Sequence, residues 1–223
     1  MKAILFGARG MVGQGVLREC LLDASVERVL SINRSPTGQQ NAKLTEIVHK
    51  DFFAFIGIES HITGYDACFY CAGPSAAGMT EDAYFHATYD MTLAAAQTLV
   101  RLNPMMTFIY ISGAGTDSTE KGRTMWARVK GKTENALLRL PFKAAYMFRP
   151  GIIQPLHGIQ SRTSGYRIFY AVTKPLLPVL RWLFPQYVTT TELLGRAMIR
   201  VAQSGYPKRI LETRDINQAS HAS

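Results

Sequence analysis

The chain predicts an α/β fold, a doubly wound parallel sheet with helices on both faces, and two observations carry that prediction. Short apolar runs rich in β-branched and aromatic residues alternate with longer helical patterns up to about residue 150. The first such run, Lys2-Ala-Ile-Leu-Phe6, meets three glycines at three-residue spacing, Gly7, Gly10 and Gly13, and passes straight into a helical pattern at Val16, Leu17, Leu21 and Leu22.

Strand, glycine loop and helix in this order form a cradle for a dinucleotide. Glycine lets the chain turn sharply after the strand and leaves no Cβ between the loop and a pyrophosphate, while the free N–H groups at the helix start, Met11 and Val12 included, face the anion. The helix is predicted over residues 11–23. Further strands are predicted at 28–33, 46–49, 67–72, 107–112 and 144–149, and further helices at 80–102 and 126–140. The first of these helices ends where Asn103-Pro104 requires. Together the pattern is Rossmann-type. Residues 113–123, rich in Gly, Ser and Thr, are predicted to be a mobile loop over the site.

The end of the second strand selects the cofactor. A carboxylate there accepts the adenine-ribose hydroxyl and repels a 2′-phosphate, and a cation does the reverse. This chain offers Ile32-Asn33-Arg34-Ser35 and no acid, and Arg9 inside the glycine loop adds a second guanidinium, so NADP(H) is expected in preference to NAD(H). Asp51 and Phe52, after the third strand, are placed to approach the adenine. Cys71, Ala72 and Gly73, after the fourth, form a small-residue turn past which the cofactor's central ribose and phosphates run close to backbone.

With 223 residues, 47% of them apolar, the chain suits one substantial core: a single domain over 1–223, with 156–223 as a small C-terminal helical elaboration serving as substrate side or lid. The net charge of +9 comes from scattered basic residues with no Lys/Arg run or aromatic-interleaved patch, which argues against nucleic acid. Three cysteines, an odd number, without a signal peptide point to a reducing cytoplasm. Cys68-x-x-Cys71 has metal or redox spacing but lies inside the strand pattern Ala-Cys-Phe-Tyr-Cys-Ala, with no second Cys or His cluster near it, so no metal is expected.

The C-terminal third departs from the alternation. Residues 169–184 are strongly apolar but interrupted by Lys174, Pro175, Pro178 and Arg181, too short and broken to span a bilayer. The segment suits packing on the core or on a partner subunit, a lid, or weak contact of residues 167–184 with a membrane surface through Arg167, Lys174 and Arg181. A capped helix is expected from Thr189 or Thr190 onward, and residues 210–212 as an edge strand.

With these segments in place, residues 1–155 resemble the short-chain dehydrogenase/reductase superfamily, most closely its atypical NmrA-like and epimerase-like members. The resemblance rests on Gly7-x-x-Gly10-x-x-Gly13, Cys71-Ala72-Gly73 in place of Asn-Ala-Gly, Phe108-Ile-Tyr-Ile-Ser112-Gly, Lys130 on the following helix, and Phe148-Arg149-Pro150-Gly151. It implies that Pro150, Gly151 and Ile152 join the cofactor site. It also implies that Ser112 orients a carbonyl and that Lys130 binds the nicotinamide ribose and lowers the pKa of a tyrosine four residues before it. Trp126 stands where that tyrosine belongs. An indole N–H donates a hydrogen bond but does not ionise near neutral pH, so ordinary general acid–base catalysis, typically worth about 10²–10⁴-fold, loses its proton donor.

Replacement donors offered by the sequence are Ser112, Tyr84, Tyr89, Tyr166 and Lys130 itself. Besides a membrane-surface or assembly factor, which residues 169–184 alone support, two functions follow. One is an NADP(H)-dependent oxidoreductase acting on a small apolar carbonyl substrate with a non-standard proton donor; the other is a non-catalytic NADP(H)-sensing regulatory or interaction protein. A homodimer through the helices at 80–102 and 126–140 is compatible with both.

Overall fold

The computed structural model describes residues 1–159 and 186–221. In chain order the elements are β1 (Lys2–Phe6), α1 (Met11–Leu22), β2 (Arg28–Asn33), β3 (Leu44–Val48), a 3-10 turn (Glu59–His61), β4 (Ala67–Tyr70) and α2 (Glu81–Phe85). A π turn (His86–Asp90), α3 (Met91–Leu102), β5 (Thr107–Ile111), α4 (Met125–Arg139), β6 (Ala144–Arg149) and β7 (Ile152–Gln154) come next. β8 (Val188–Thr190), α5 (Thr191–Ser204), β9 (Ile210–Glu212) and α6 (Thr213–Ala219) complete the described chain.

Seven strands pair in the order β3-β2-β1-β4-β5-β6-β9, every pair parallel. The chain runs outward one way from β1 and outward the other way from β4, so a crevice opens at the carboxyl ends of these two neighbours. Both faces of the sheet are buried. Leu5, Phe69 and Ile109 pack with Val16, Leu17, Leu194 and Met198 on one side, and Ile4, Phe6, Tyr70 and Phe108 pack with Leu99 and Leu137 on the other. This two-sided burial is why the central strands read as continuous apolar runs.

The C-terminal part contributes directly to this core. α5 lies against α1 so closely that a Cβ on Gly15 would sit 2.7 Å from the Thr191 carbonyl oxygen, and one on Gly195 would sit 2.8 Å from Glu19 Cγ. Glu19 is buried in the seam and is paired by Arg196 Nε at 3.1 Å and Arg18 at 2.5 Å. Thr190 caps α5, its Oγ1 accepting the Leu193 N–H at 3.0 Å, and β9 closes the sheet edge. The described portion of the expected elaboration thus completes the sheet and one of its helical layers.

Differences from the sequence reading have local causes. The long second helix is interrupted by a π turn, so its register shifts at His86. The two-stranded β7–β8 sheet and the seven-residue α6 are too short to show a periodicity. The loop at 113–123, expected to be mobile, is knitted to α4. Asp117 accepts the Thr119 and Gly122 N–H groups at 3.0 and 2.6 Å, its own N–H donates to the Ala127 carbonyl at 3.0 Å, and Arg128 donates to the Gly122 carbonyl at 2.6 Å. Gly131 permits this contact, since a Cβ there would lie 1.8 Å from the Asp117 carbonyl oxygen. Tyr166 and the apolar segment at 169–184, with Arg167, Lys174 and Arg181, lie outside the described residues. Among the described residues no helix is long and apolar enough to cross a membrane.

Candidate functional site

The crevice at the carboxyl ends of β1, β2 and β4 is a cleft of about 550 Å³. Its floor is Gly7, Gly10, Met11 and Val12. After β2 its lining is Ile32, Asn33, Arg34 and Ser35, joined by Phe52. After β4 it is Cys71, Ala72, Gly73 and Pro74, with Ala87 and Met91 beyond.

The three glycines do three different things. Gly7, at φ +80°, turns the chain where a Cβ would meet the Ala72 nitrogen at 2.7 Å, so β1 and the turn after β4 close on each other only without a side chain. Gly13 lies beneath the cleft, and a Cβ there would fall 2.0 Å from the Gly7 carbonyl oxygen, so it brings α1 down onto the loop. Gly10 is not required by the protein itself, since its Cβ would meet only Gly7 O at 3.4 Å; what it keeps open is the cleft. α1 begins with no capping side chain and no acid in its first turn, which leaves its first N–H groups for an anion.

Two further features fit a dinucleotide. Asn33 is buried and donates from Nδ2 to Ser31 Oγ at 2.6 Å, yet its Oδ1 has no partner in the protein, a free acceptor in a residue that lines the cleft. Among the described residues neither Arg9 nor Arg34 has a carboxylate partner, and the two guanidiniums border the same cleft.

Asp51 does not line the cleft. It is exposed, and its Oδ1 accepts the Phe53 N–H at 2.9 Å; its neighbour Phe52 takes the wall position, while Phe53 stacks on His86 at 4.4 Å. Pro150, Gly151 and Ile152 also lie outside the lining. Gly151 donates to Thr213 Oγ1 at 2.8 Å, Ile152 to the Tyr187 carbonyl at 3.0 Å, and the Pro150 carbonyl accepts from Ala114 at 2.9 Å.

Ser112 and Lys130 are brought together at the end of β5, next to the cleft but outside its lining. Lys130 Nζ donates to the Ser112 carbonyl at 2.8 Å and sits 5.6 Å from the centre of the Tyr110 ring. Desolvation lowers its pKa to about 8, against the opposing pull of the Glu134 carboxylate. The Ser112 hydroxyl is engaged within the protein: it donates to Glu134 Oε1 at 2.5 Å and shares the Phe148 carbonyl at 3.1 Å. Trp126, half-buried in the first turn of α4, lays its ring edge against Gly115. Of the tyrosines considered as replacements, Tyr84 is buried and Tyr89 stacks on Phe85 under Lys132.

Sequence reasoning passed over Glu134 and Arg149. Glu134 is fully buried, and its carboxylate binds Arg149 Nε at 3.0 and 3.2 Å and Arg149 Nη2. The available signal was Lys130-x-x-x-Glu134, which places an acid and a base on one helical face, together with an arginine at the end of an otherwise apolar strand.

No protein-family profile matches the chain. It is 28% identical over 144 residues to Leucinostatins biosynthesis cluster protein T of Purpureocillium lilacinum (63% of this chain, 52% of that protein). It is 30% identical over 156 residues to Protein fmp52, mitochondrial, of Emericella nidulans (67% and 65%), and 30% identical over 136 residues to Botcinic acid biosynthesis cluster B protein 16 of Botryotinia fuckeliana (54% and 84%). The chain therefore spans about half the length of the first of these relatives and 65% of the second. Among solved structures it superposes on a UDP-N-acetylglucosamine 4-epimerase from Methanobrevibacter ruminantium with a TM-score of 0.69 at 15% identity, covering 94% of this chain and 75% of that one. A short-chain dehydrogenase family protein from Francisella tularensis gives 0.64 at 13% identity, covering 92% and 91%.

The glycine cradle, the seven-stranded order and these superpositions define the class by its fold: the chain has the Rossmann-type fold of epimerases and short-chain dehydrogenases. By its identity over most of the Botryotinia fuckeliana protein, it belongs to the same family as Botcinic acid biosynthesis cluster B protein 16.

One expectation is overturned. FMP52 relatives from three fungi, 22–30% identical, carry the word mitochondrial in their names, against the cytoplasmic location expected from cysteine usage. Unpaired thiols report a reducing environment and carry no compartment address.

Proposed function

We propose that the cleft binds NADP(H) in preference to NAD(H), and that the protein works as an NADP(H)-binding module in which nucleotide binding is separated from ordinary carbonyl reduction. The observation that carries the nucleotide preference is that Asn33, Arg34, Ser35 and Arg9 line one cleft, with no acid at the end of β2 and neither guanidinium paired with a carboxylate among the described residues. Gly7, Gly10, Met11 and Val12 would take the pyrophosphate, Arg9, Arg34 and Ser35 the 2′-phosphate, Asn33 Oδ1 a hydroxyl or amino hydrogen, and Lys130 the far ribose. NADPH supplies a hydride when bound. Among the described residues the usual proton donors beside it are missing: Trp126 stands in the tyrosine position and does not ionise, and Ser112 spends its single proton on Glu134.

Arg34→Ala is expected to weaken NADP+ roughly tenfold or more, the scale of a hydrogen bond to a charged group, and to leave NAD+ within about twofold. Calorimetric titration of both nucleotides checks this, and equal losses would contradict the assignment of Arg34 to the 2′-phosphate.

A second reading has support of its own. Lys130, with a pKa near 8, is able to exchange a proton near neutral pH, and two relatives are named for biosynthesis clusters, which favours an oxidoreductase on a small carbonyl substrate with Lys130 as donor. Following NADPH absorbance with a panel of aldehydes, ketones and quinones separates the two. The module reading expects no turnover in the natural protein and a gain in Trp126→Tyr, whereas turnover lost in Lys130→Met supports the second.

A further inference from the structure

We propose that Ser112 and Glu134 are positioning residues that together hold Lys130, and that neither touches a substrate. Parallel register pairs Ile111 with Phe148, which sets Ser112 beside Arg149 at the carboxyl ends of β5 and β6. Lys130 and Glu134, one turn apart on α4, then grip Ser112 from two sides. Lys130 takes its carbonyl at 2.8 Å and Glu134 takes its hydroxyl at 2.5 Å. Glu134 is in turn fixed by Arg149, whose remaining donors reach Ser118 Oγ at 2.5 Å and Glu212 at 3.4 Å. One buried carboxylate thus anchors α4, β5, β6, β9 and the 113–123 loop around the lysine.

A hydroxyl has one proton, and this one is already shared between a carboxylate and a carbonyl. For Ser112 to polarise a substrate carbonyl, it would have to withdraw a donor from the fully buried Glu134 carboxylate. Its arrangement instead presents its own carbonyl to the ammonium. The charged and titratable groups that the structure places about Lys130 include Glu134 on its own helix, Arg149 behind Glu134 on β6, Tyr110 beneath it on β5, and Tyr84 of α2 beside Tyr110. Of these, Glu134 opposes the lysine's desolvation and favours its charged form.

The test is the proton affinity of Lys130 in the nucleotide-free protein, read by competitive acetylation across pH and mass spectrometry of the peptide carrying residue 130. The natural protein should titrate there near pH 8. Glu134→Gln should weaken the proton affinity about tenfold or more, since a facing carboxylate is lost. Ser112→Ala should move the profile in the same direction and loosen NADP+ roughly threefold to tenfold, although no substrate is present. An unchanged Lys130 profile in Ser112→Ala overturns the proposal. That variant keeps the Glu134–Arg149 pair, so it decides the matter even if Glu134→Gln does not fold. The affinity readout rests on the nucleotide reading of the cleft, whereas the lysine profile does not. Failure of the natural protein to bind NADP(H) would therefore sink that reading and leave this one to be judged on the titration.

Discussion

Gly13→Ala is expected to destroy the fold, at a cost of about 4 kcal/mol or more, in the range reserved for overpacking that cannot relax. The added methyl would lie 2.0 Å from the Gly7 carbonyl oxygen and 2.6 Å from its carbon. Both are backbone atoms at the turn where β1 meets the strand–turn contact at Cys71 and Ala72, so no side chain is free to swing aside. Gly10→Ala provides the contrast: its methyl meets only Gly7 O at 3.4 Å, so the fold should persist while NADP+ affinity falls. Far-UV circular dichroism melts and soluble yield read the first variant. A Gly13→Ala protein melting within a few degrees of the natural one would mean that α1 does not sit on the loop as described.

Arg149→Met is expected to cost about 3–5 kcal/mol, because it leaves the fully buried Glu134 carboxylate without its cation. Lost cohesion alone is not the main cause. Replacing both members by apolar residues removes the uncompensated charge, so Glu134→Leu combined with Arg149→Met should be appreciably more stable than Arg149→Met alone. Urea unfolding midpoints for the two single variants and the double variant measure this. Additive losses would show that Glu134 and Arg149 act independently, which their shared hydrogen bonds make hard to reconcile with the structure.

The framework and the glycine turn after β1 were legible in the sequence because both depend on local signals. Buried parallel strands have no polar face, so β1, β2, β4, β5 and β6 stand out as apolar runs. The glycine spacing reports backbone contacts that only glycine allows at Gly7 and Gly13, and the residues after Gly7 and Ile32 line one cleft. The neighbourhood of Ser112 was less legible. Whether its hydroxyl faces a substrate or a carboxylate depends on Glu134, 22 residues further on, and on Arg149 across a strand pair, which no local pattern reports. Asp51 is a related case: an aspartate after a strand closes an Asx turn on Phe53 as readily as it meets a ligand, and it is the adjacent Phe52 that lines the cleft. The C-terminal contribution was hidden because the Gly15–Gly195 helix contact joins segments 180 residues apart.

The central claim is that the cleft beside Arg9 and Arg34 selects a 2′-phosphorylated dinucleotide, and calorimetric titration of the natural protein with NADP+ and with NAD+ tests it most directly. Binding of NADP+ at least about tenfold tighter than NAD+ is the expected result, on the scale of charged hydrogen bonds to one phosphate. Equal affinities, or tighter NAD+, would contradict it.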